Sequence, residues 1–169
     1  MATPIQQNLV EKNEAYAKDF TQGDLALPPA KKYLIVTCMD ARIDSHAAFG
    51  ISLGDAHVVR NAGGSARDAL RSVVISQLLL GTREVLVVKH TGCGMLTFTG
   101  DAARALLRDQ RGGDAAAAVE GLDFLDFADL EQAVRDDVAF LKGNAAVLDG
   151  IPITGWVYEV ETGKVRQVV

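Results

Sequence analysis

Three side chains suited to binding zinc lie in two short stretches of the sequence. The segment VVKHTGCGM places His90 three residues before Cys93, and the segment IVTCMDARID carries Cys38. Zinc binds thiolate sulfur and imidazole nitrogen, and catalytic zinc sites commonly use three protein ligands and keep a fourth position open. Because the chain has only two cysteines and three histidines, this three-ligand set favours a catalytic site over a closed structural one.

The two cysteines could instead serve roles that involve no metal. They could form a disulfide, which a reducing cytosol disfavours, or they could be buried and unreactive, as free cysteines often are. A redox pair is the least favoured of these roles, because the C-x-x-C spacing is absent. The remaining histidines, His46 and His57, could be offered as a fourth ligand, but neither has a spacing that requires it.

Asp40 and Arg42 follow Cys38 at positions i+2 and i+4, so all three side chains point to one side of an extended segment. A carboxylate there can accept a hydrogen bond from a metal-bound water. An arginine can hold that carboxylate ionised and oriented through a bidentate pair. The alternative is a surface ion pair, which contributes little to stability. Their spacing from Cys38 favours the role beside a metal.

The elements that must position these residues are indicated by the hydrophobic pattern. Short apolar runs with β-branched residues predict strands at 31–38, 56–62 and 83–90. Ser65 and Gly81 are suited to begin and end a helix between the second and third strands. Further elements are expected along the rest of the chain: helices around 100–109 and 126–142, a loop or loose helix at 111–121, and a strand, turn and edge strand at 153–169.

Strands that alternate with helices predict an α/β fold with a mainly parallel β-sheet flanked by helices. In such sheets ligands bind beyond the carboxyl ends of the strands. Cys38 closes the first predicted strand and His90 closes the third. We therefore expect both segments to meet at the same edge of the sheet.

The N-terminal segment predicts an amphipathic helix over residues 5–20, with apolar residues near helical spacing. It either packs on its own domain or reaches a partner subunit. The absence of linkers and repeats predicts one domain over 1–169, with 1–24 as a helical arm. The apolar positions of the helix are Ile5, Leu9, Tyr16 and Phe20.

Composition limits the classes of partner. The formal charge of −5 argues against a nucleic-acid partner, because nonspecific binding requires many neutralised phosphates. No run is long and apolar enough to cross a bilayer, so no membrane partner is expected. The N-terminus lacks the pattern of a secretory signal. We expect a cytoplasmic protein.

The motif CMDAR followed by HTGCGM resembles the β-class carbonic anhydrases, in particular their compact microbial branch. The similarity extends over residues 31–100 through GDAHVVRNAGG and RSVVISQLLLGTREV. The resemblance implies one zinc per subunit, held by Cys38, His90 and Cys93, with water or hydroxide as the fourth ligand. It implies Asp40 and Arg42 as the catalytic pair, and Asp40 as a metal ligand only in a closed state.

The resemblance also implies the reaction and the assembly. Metal-bound hydroxide would hydrate carbon dioxide reversibly to bicarbonate and a proton, in a homodimer or higher homo-oligomer whose N-terminal helix embraces the partner. The alternatives are a carbonyl sulfide or carbon disulfide hydrolase on the same scaffold, and a noncatalytic zinc- or bicarbonate-binding relative. A bicarbonate-inhibited subset carries tryptophan where this chain has Ile35, and the only tryptophan here is Trp156, which weakens the expectation of that regulatory pocket.

The sequence allows more than one role for several residues near these motifs. His46 and His57 are candidates to carry the released proton, although structural roles are favoured for both. Arg60 faces either the site or a subunit interface. Glycines in the same segments are expected to serve tight turns or a close approach of the backbone: Gly63, Gly64, Gly92 and Gly94.

Overall fold

A five-stranded sheet forms the centre of the computed structural model, which describes residues 1–169. The strand order is β2-β1-β3-β4-β5; the first four strands are parallel, and β5 runs antiparallel to β4. The predicted α/β fold with a mainly parallel sheet is confirmed. The strands are β1 (Tyr33–Cys38), β2 (Ala56–Asn61), β3 (Glu84–His90), β4 (Ile153–Tyr158) and β5 (Val165–Gln167).

Six α-helices and two 3₁₀ turns connect or flank these strands. The 3₁₀ turns span Ala62–Gly64 and Gly94–Leu96. The helices are α1 (Pro4–Lys18), α2 (Ser45–Phe49), α3 (Ala66–Leu80), α4 (Gly100–Arg111), α5 (Gly113–Ala117) and α6 (Leu130–Lys142).

Most predicted elements are present, with shifted ends. Ser65 caps α3 by accepting a hydrogen bond from the Asp68 N–H, and Gly81 ends it in the left-handed conformation. The helix predicted over 126–142 begins only at Leu130, because the Asp129 side chain caps it there by accepting from the Gln132 N–H. The short helix α2 was not predicted.

The strands β1 and β3 are buried on both faces, as central parallel strands must be. Alternate residues such as Leu34 and Val87 share one core cluster with α3 and α6. The residues between them, such as Ile35 and Val88, face the other side, where they share a cluster with Cys38 and other residues near the sheet edge. The sheet therefore presents two different environments at its carboxyl edge.

Helix α1 has no buried residue. Its N-terminus is closed by a capping box between Thr3 and Gln6. Ile5 and Leu9 are 81% and 68% exposed. The apolar side chains of this helix are therefore not covered by the rest of the chain.

None of the helices combines the length and the apolar character that a membrane span requires.

Candidate metal centre

Cys38, His90 and Cys93 lie together at the carboxyl edge of the sheet. β1 and β3 are adjacent parallel strands with Thr37 opposite Val88, so their last residues emerge side by side. Cys93 lies in the turn just after β3. The ligand atoms of the three residues all lie within 4.8 Å of one another. All three residues are buried, and His90 is fully enclosed.

The hydrogen bonding of His90 defines its free nitrogen. Nδ1 lies 2.9 Å from the Thr91 carbonyl oxygen, which can only accept, so Nδ1 carries the proton. In the neutral ring Nε2 then presents a lone pair, and this fully buried atom has no hydrogen-bond partner. Buried polar atoms in folded proteins are nearly always satisfied by a partner. A metal ion between Nε2 and the two sulfurs would satisfy this one.

The two thiols have opposite tendencies to ionise. A hydrogen bond from Cys93 lowers the pKa of Cys38 to about 4, against the effect of burial, and backbone N–H groups of Asp40 and Gly63 add to the lowering. The pKa of Cys93 is raised by its hydrogen bond with Cys38 and by burial. Burial lowers the pKa of His90, but the interactions with Cys38, the Thr91 carbonyl oxygen and Asp40 together outweigh it, and the net pKa is raised. The negative charge of the Cys38 thiolate therefore makes this group of three side chains favourable for a cation.

Asp40 faces this group while paired with Arg42. The guanidinium donates from Nε to Asp40 Oδ1 at 2.9 Å and from Nη2 to Oδ2 at 2.8 Å. These hydrogen bonds hold the pKa of Asp40 well below its usual range. Asp40 Oδ2 lies 3.8 Å from His90 Nε2. The predicted bidentate pair is present, and its carboxylate lies beside the three ligand atoms.

Arg42 also joins the two ligand-bearing segments. Its Nη2 donates to the Gly92 carbonyl oxygen at 2.9 Å, in the turn between His90 and Cys93. Gly92 has φ 60°, and a Cβ there would lie 3.7 Å from the Arg42 guanidinium. Glycine is therefore favoured here by the left-handed backbone conformation, since a Cβ at that distance would make only an ordinary contact with the arginine.

Arg60 and the two remaining histidines have defined roles in the fold. Arg60 donates to the carbonyl oxygens of Cys38 at 3.0 Å and Asp40 at 2.7 Å, so it faces the site and holds its backbone. His46 Nδ1 lies 3.2 Å from the Ile51 carbonyl oxygen. His57 Nδ1 lies 2.7 Å from a serine hydroxyl in α3. Neither histidine belongs to the group of three ligand atoms.

Two buried charged residues near the site were missed from the sequence. Lys89 interrupts an apolar strand directly before His90, and Asp137 interrupts the buried stripe of α6. Both could have been found from the sequence, because each is a charged residue at a position where the periodic pattern requires an apolar one. That they form an ion pair at 2.8 Å depends on packing that the pattern does not reveal.

The chain is similar in sequence and in fold to proteins of known function. The profile of a family described as carbonic anhydrase matches residues 33–165. The chain is 39% identical to β-carbonic anhydrase 1 of Mycobacterium tuberculosis over 97% of this chain and 98% of that protein. It is 33% identical to a carbon disulfide hydrolase of Saccharolobus solfataricus over 94% of this chain and 86% of that one. The solved structure of a carbonic anhydrase from Glaciozyma antarctica superposes with a TM-score of 0.94, at 49% identity, over 99% of this chain and 100% of that one.

Proposed function

Because the chain is an enzyme of the β-class carbonic anhydrase family, we propose that it catalyses the zinc-dependent reversible hydration of carbon dioxide to bicarbonate and a proton. Cys38, His90 and Cys93 would hold one zinc per subunit. The observation that carries this proposal is the convergence of these three buried donors within 4.8 Å of one another. They lie at the sheet edge where α/β proteins bind their ligands.

The donor set suits zinc better than a hard cation such as magnesium or calcium, because it offers two sulfurs and an imidazole nitrogen. The Nδ1 proton of His90, donated to the Thr91 carbonyl oxygen, directs the Nε2 lone pair toward the sulfurs. Two thiolates would neutralise the double charge of the ion, so little net charge would be buried. The pKa of Cys93 is raised, so loading must displace the proton that this thiol holds in the absence of the ion.

Asp40 and Arg42 would prepare the nucleophile. Zinc, when bound, lowers the pKa of a coordinated water and makes hydroxide available near neutral pH. Asp40 Oδ2, 3.8 Å from His90 Nε2, would accept a hydrogen bond from the nucleophile and orient it toward the carbon of carbon dioxide. Arg42 keeps the carboxylate ionised, so that Asp40 Oδ2 would act as a hydrogen-bond acceptor.

The second candidate substrate is carbon disulfide or carbonyl sulfide. It is favoured by the 33% identity to the carbon disulfide hydrolase of Saccharolobus solfataricus over 94% of this chain. Attack of hydroxide on a linear triatomic molecule is common to all three reactions, so the same residues would serve each. We place carbon dioxide first, because the identity to a β-carbonic anhydrase is higher and covers more of the chain.

We further propose that the chain is a single catalytic domain that assembles as a homodimer or higher homo-oligomer through its N-terminal arm, residues 1–24. The support is that α1 has no buried residue within its own chain. Its exposed apolar residues would be stabilised by burial against a second copy.

Stopped-flow hydration of carbon dioxide by the zinc-loaded protein, at pH about 7 and about 9, tests the reaction. Two thiolate ligands leave less positive charge at the metal than neutral imidazoles, so we expect turnover that requires zinc and rises with pH. Turnover of carbon disulfide or carbonyl sulfide by the same preparation, without hydration of carbon dioxide, would favour the second candidate. Inactivity toward all three substrates at full zinc content would refute catalysis at this site.

A further inference from the structure

A buried ion pair lies behind the proposed metal centre, on the opposite face of the sheet. Lys89 Nζ lies 2.8 Å from Asp137 Oδ2, and the two side chains are 3% and 9% exposed. Lys89 belongs to β3 next to His90, while Asp137 belongs to α6. Because side chains alternate along a strand, Lys89 points away from the ligands although its neighbour is one of them.

Lys89 also holds the turn that follows β2. Its Nζ donates to the carbonyl oxygens of Gly63 at 3.0 Å and Gly64 at 3.3 Å. The Phe127 ring covers the ammonium group at 4.9 Å. Asp137 Oδ2 accepts a second hydrogen bond, from the Ala66 N–H at the start of α3, at 3.0 Å. The pair therefore joins β3 and α6 to both ends of the segment from Gly63 to Ala66.

That turn lies directly against the end of β1. A Cβ on Gly64 would be 3.0 Å from the Cys38 backbone nitrogen and 3.0 Å from the Thr37 carbonyl carbon. On its other side the turn contacts Met95, two residues after Cys93. A displacement of the turn would therefore move the backbone that carries the Cys38 sulfur.

Stability alone does not account for the pair. Bringing two charges out of water costs several kcal/mol per ion, and replacing a buried pair with apolar residues of similar volume is often neutral or stabilising. The carbonyl oxygens of Gly63 and Gly64, however, require a donor when they are buried at this place. A lysine fixed by a carboxylate supplies two such donors in one direction.

We propose that Lys89 and Asp137 are positioning residues that hold the Gly63–Gly64 turn against Cys38 and so set the geometry of the thiolate within the zinc site. Neither residue touches substrate or metal. The inference rests on the zinc site proposed above. It predicts that removal of the pair loosens metal binding even when the fold is retained.

Zinc affinity and the spectrum of the cobalt-substituted protein test this role without any measurement of activity. We expect Lys89→Met to weaken zinc binding about 10- to 100-fold in competition with a chromophoric chelator, as loss of groups that support ligands does. The sulfur-to-cobalt charge-transfer band should shift, because the environment of the Cys38 sulfur changes. Lys89→Arg retains the charge, so we expect it to lie closer to the wild type.

Asp137→Asn provides a milder second variant if Lys89→Met fails to fold. It keeps a side-chain oxygen for the Ala66 N–H but removes the negative charge opposite Lys89, so zinc binding should weaken in the same direction. Ile153→Ala is the matched structural control, since Ile153 is buried at the opposite, amino edge of the sheet. It should lower the unfolding temperature and leave both metal readouts unchanged.

The outcomes separate the two proposals. Wild-type protein that fails to bind stoichiometric zinc would refute the metal site itself, and the positioning role with it. Wild-type protein that binds zinc, together with Lys89 and Asp137 variants that keep its affinity and its cobalt spectrum, would refute only the positioning role. If Ile153→Ala weakened zinc binding as much as the Lys89 and Asp137 variants do, the loss would reflect general stability and would likewise refute the positioning role.

Discussion

At the scale of single residues, a small number of hydrogen bonds orients the side chains of the site. The Thr91 carbonyl oxygen determines which nitrogen of His90 is free. Three hydrogen bonds from Arg42 hold the Asp40 carboxylate. Because each contact involves only one or two side chains, single substitutions should affect zinc binding and catalytic activity separately.

Cys93→Ala should abolish stoichiometric zinc. Two remaining protein ligands do not satisfy an ion that takes three in catalytic sites. The measurement is the zinc content of purified protein by atomic absorption. Met95→Leu, a buried neighbour outside the ligand set, is the matched control and should keep one zinc per chain. Full zinc content in Cys93→Ala would show that this cysteine is not a ligand.

Asp40→Asn should lower kcat/KM for carbon dioxide about 10- to 100-fold while zinc content stays stoichiometric. The asparagine amide lacks the negative charge of the carboxylate. It is therefore a weaker hydrogen-bond acceptor and no longer forms an ion pair with Arg42. Stopped-flow kinetics and metal analysis on the same sample measure the two effects.

Asp55→Asn is the control for this variant. Asp55 is also paired with a basic side chain, Lys31 at 2.8 Å, but it does not belong to the site. Its substitution should leave kcat/KM unchanged. If both variants had the same activity as the wild type, Asp40 would have no role in the reaction.

At the scale of elements, the site is made by strand ends and by the turns that follow them. Parallel pairing of β1 with β3 brings the ends of two strands together, and the turns after β2 and β3 close the space around them. These turns contain glycines at positive φ, at Gly63, Gly64 and Gly92. At Gly64 the absence of a side chain also allows the close approach to Cys38, because a Cβ there would lie 3.0 Å from the Cys38 backbone nitrogen.

Gly64→Ala should destabilise the fold more than Gly81→Ala. Both glycines have positive φ, at 59° and 75°, so each substitution carries a conformational cost of about 1–2 kcal/mol. A Cβ at Gly64 would also crowd the Cys38 backbone at 3.0 Å, whereas a Cβ at Gly81 would meet open space. We expect an additional loss of about 1–3 kcal/mol for Gly64→Ala.

Urea unfolding measures the free energy of unfolding of both variants. Gly81→Ala supplies the cost of the backbone conformation alone, and the difference between the two variants reports the contact with Cys38. Equal losses would mean that the turn relaxes away from β1 without cost. That result would also weaken the argument that this turn positions Cys38.

At the scale of the whole molecule, the chain has an apolar surface that it does not cover itself. Ile5, Leu9, Tyr16 and Phe20 are 81%, 68%, 59% and 44% exposed. A monomer gains nothing from an amphipathic helix without a packing partner, because most helix stability in proteins comes from burial of the apolar face. Assembly with a second copy would supply that burial.

Ile5→Asp combined with Leu9→Asp should reduce the oligomer to monomers in sedimentation equilibrium, and so should removal of residues 1–24. Charged side chains at these positions would have to be desolvated in an interface. Leu106→Asp, at a 56% exposed position in α4, is the matched control and should leave the assembly unchanged. An intact oligomer after either change in α1 would refute the role of the arm.

The sequence by itself determined the order of the strands and the longer helices, and the two segments that carry chemistry. It did so because periodicity and ligand spacing are local properties of the chain. The parallel sheet followed from the alternation of elements, and the meeting of Cys38 with His90 followed from where the strands end. The ends of elements were less well predicted: α6 begins at Leu130 rather than at 126, because a capping side chain and not the apolar pattern decides where a helix starts.

Only the tertiary structure decided how the site is supported. Lys89 meets Asp137 from a distant part of the sequence, and Arg60 reaches the carbonyl oxygens of Cys38 and Asp40 from another strand. Such contacts depend on strand register and on how a helix packs on the sheet, and neither is contained in a local pattern. The exposure of α1 is likewise a property of the folded chain, since an amphipathic sequence does not specify which surface will cover it.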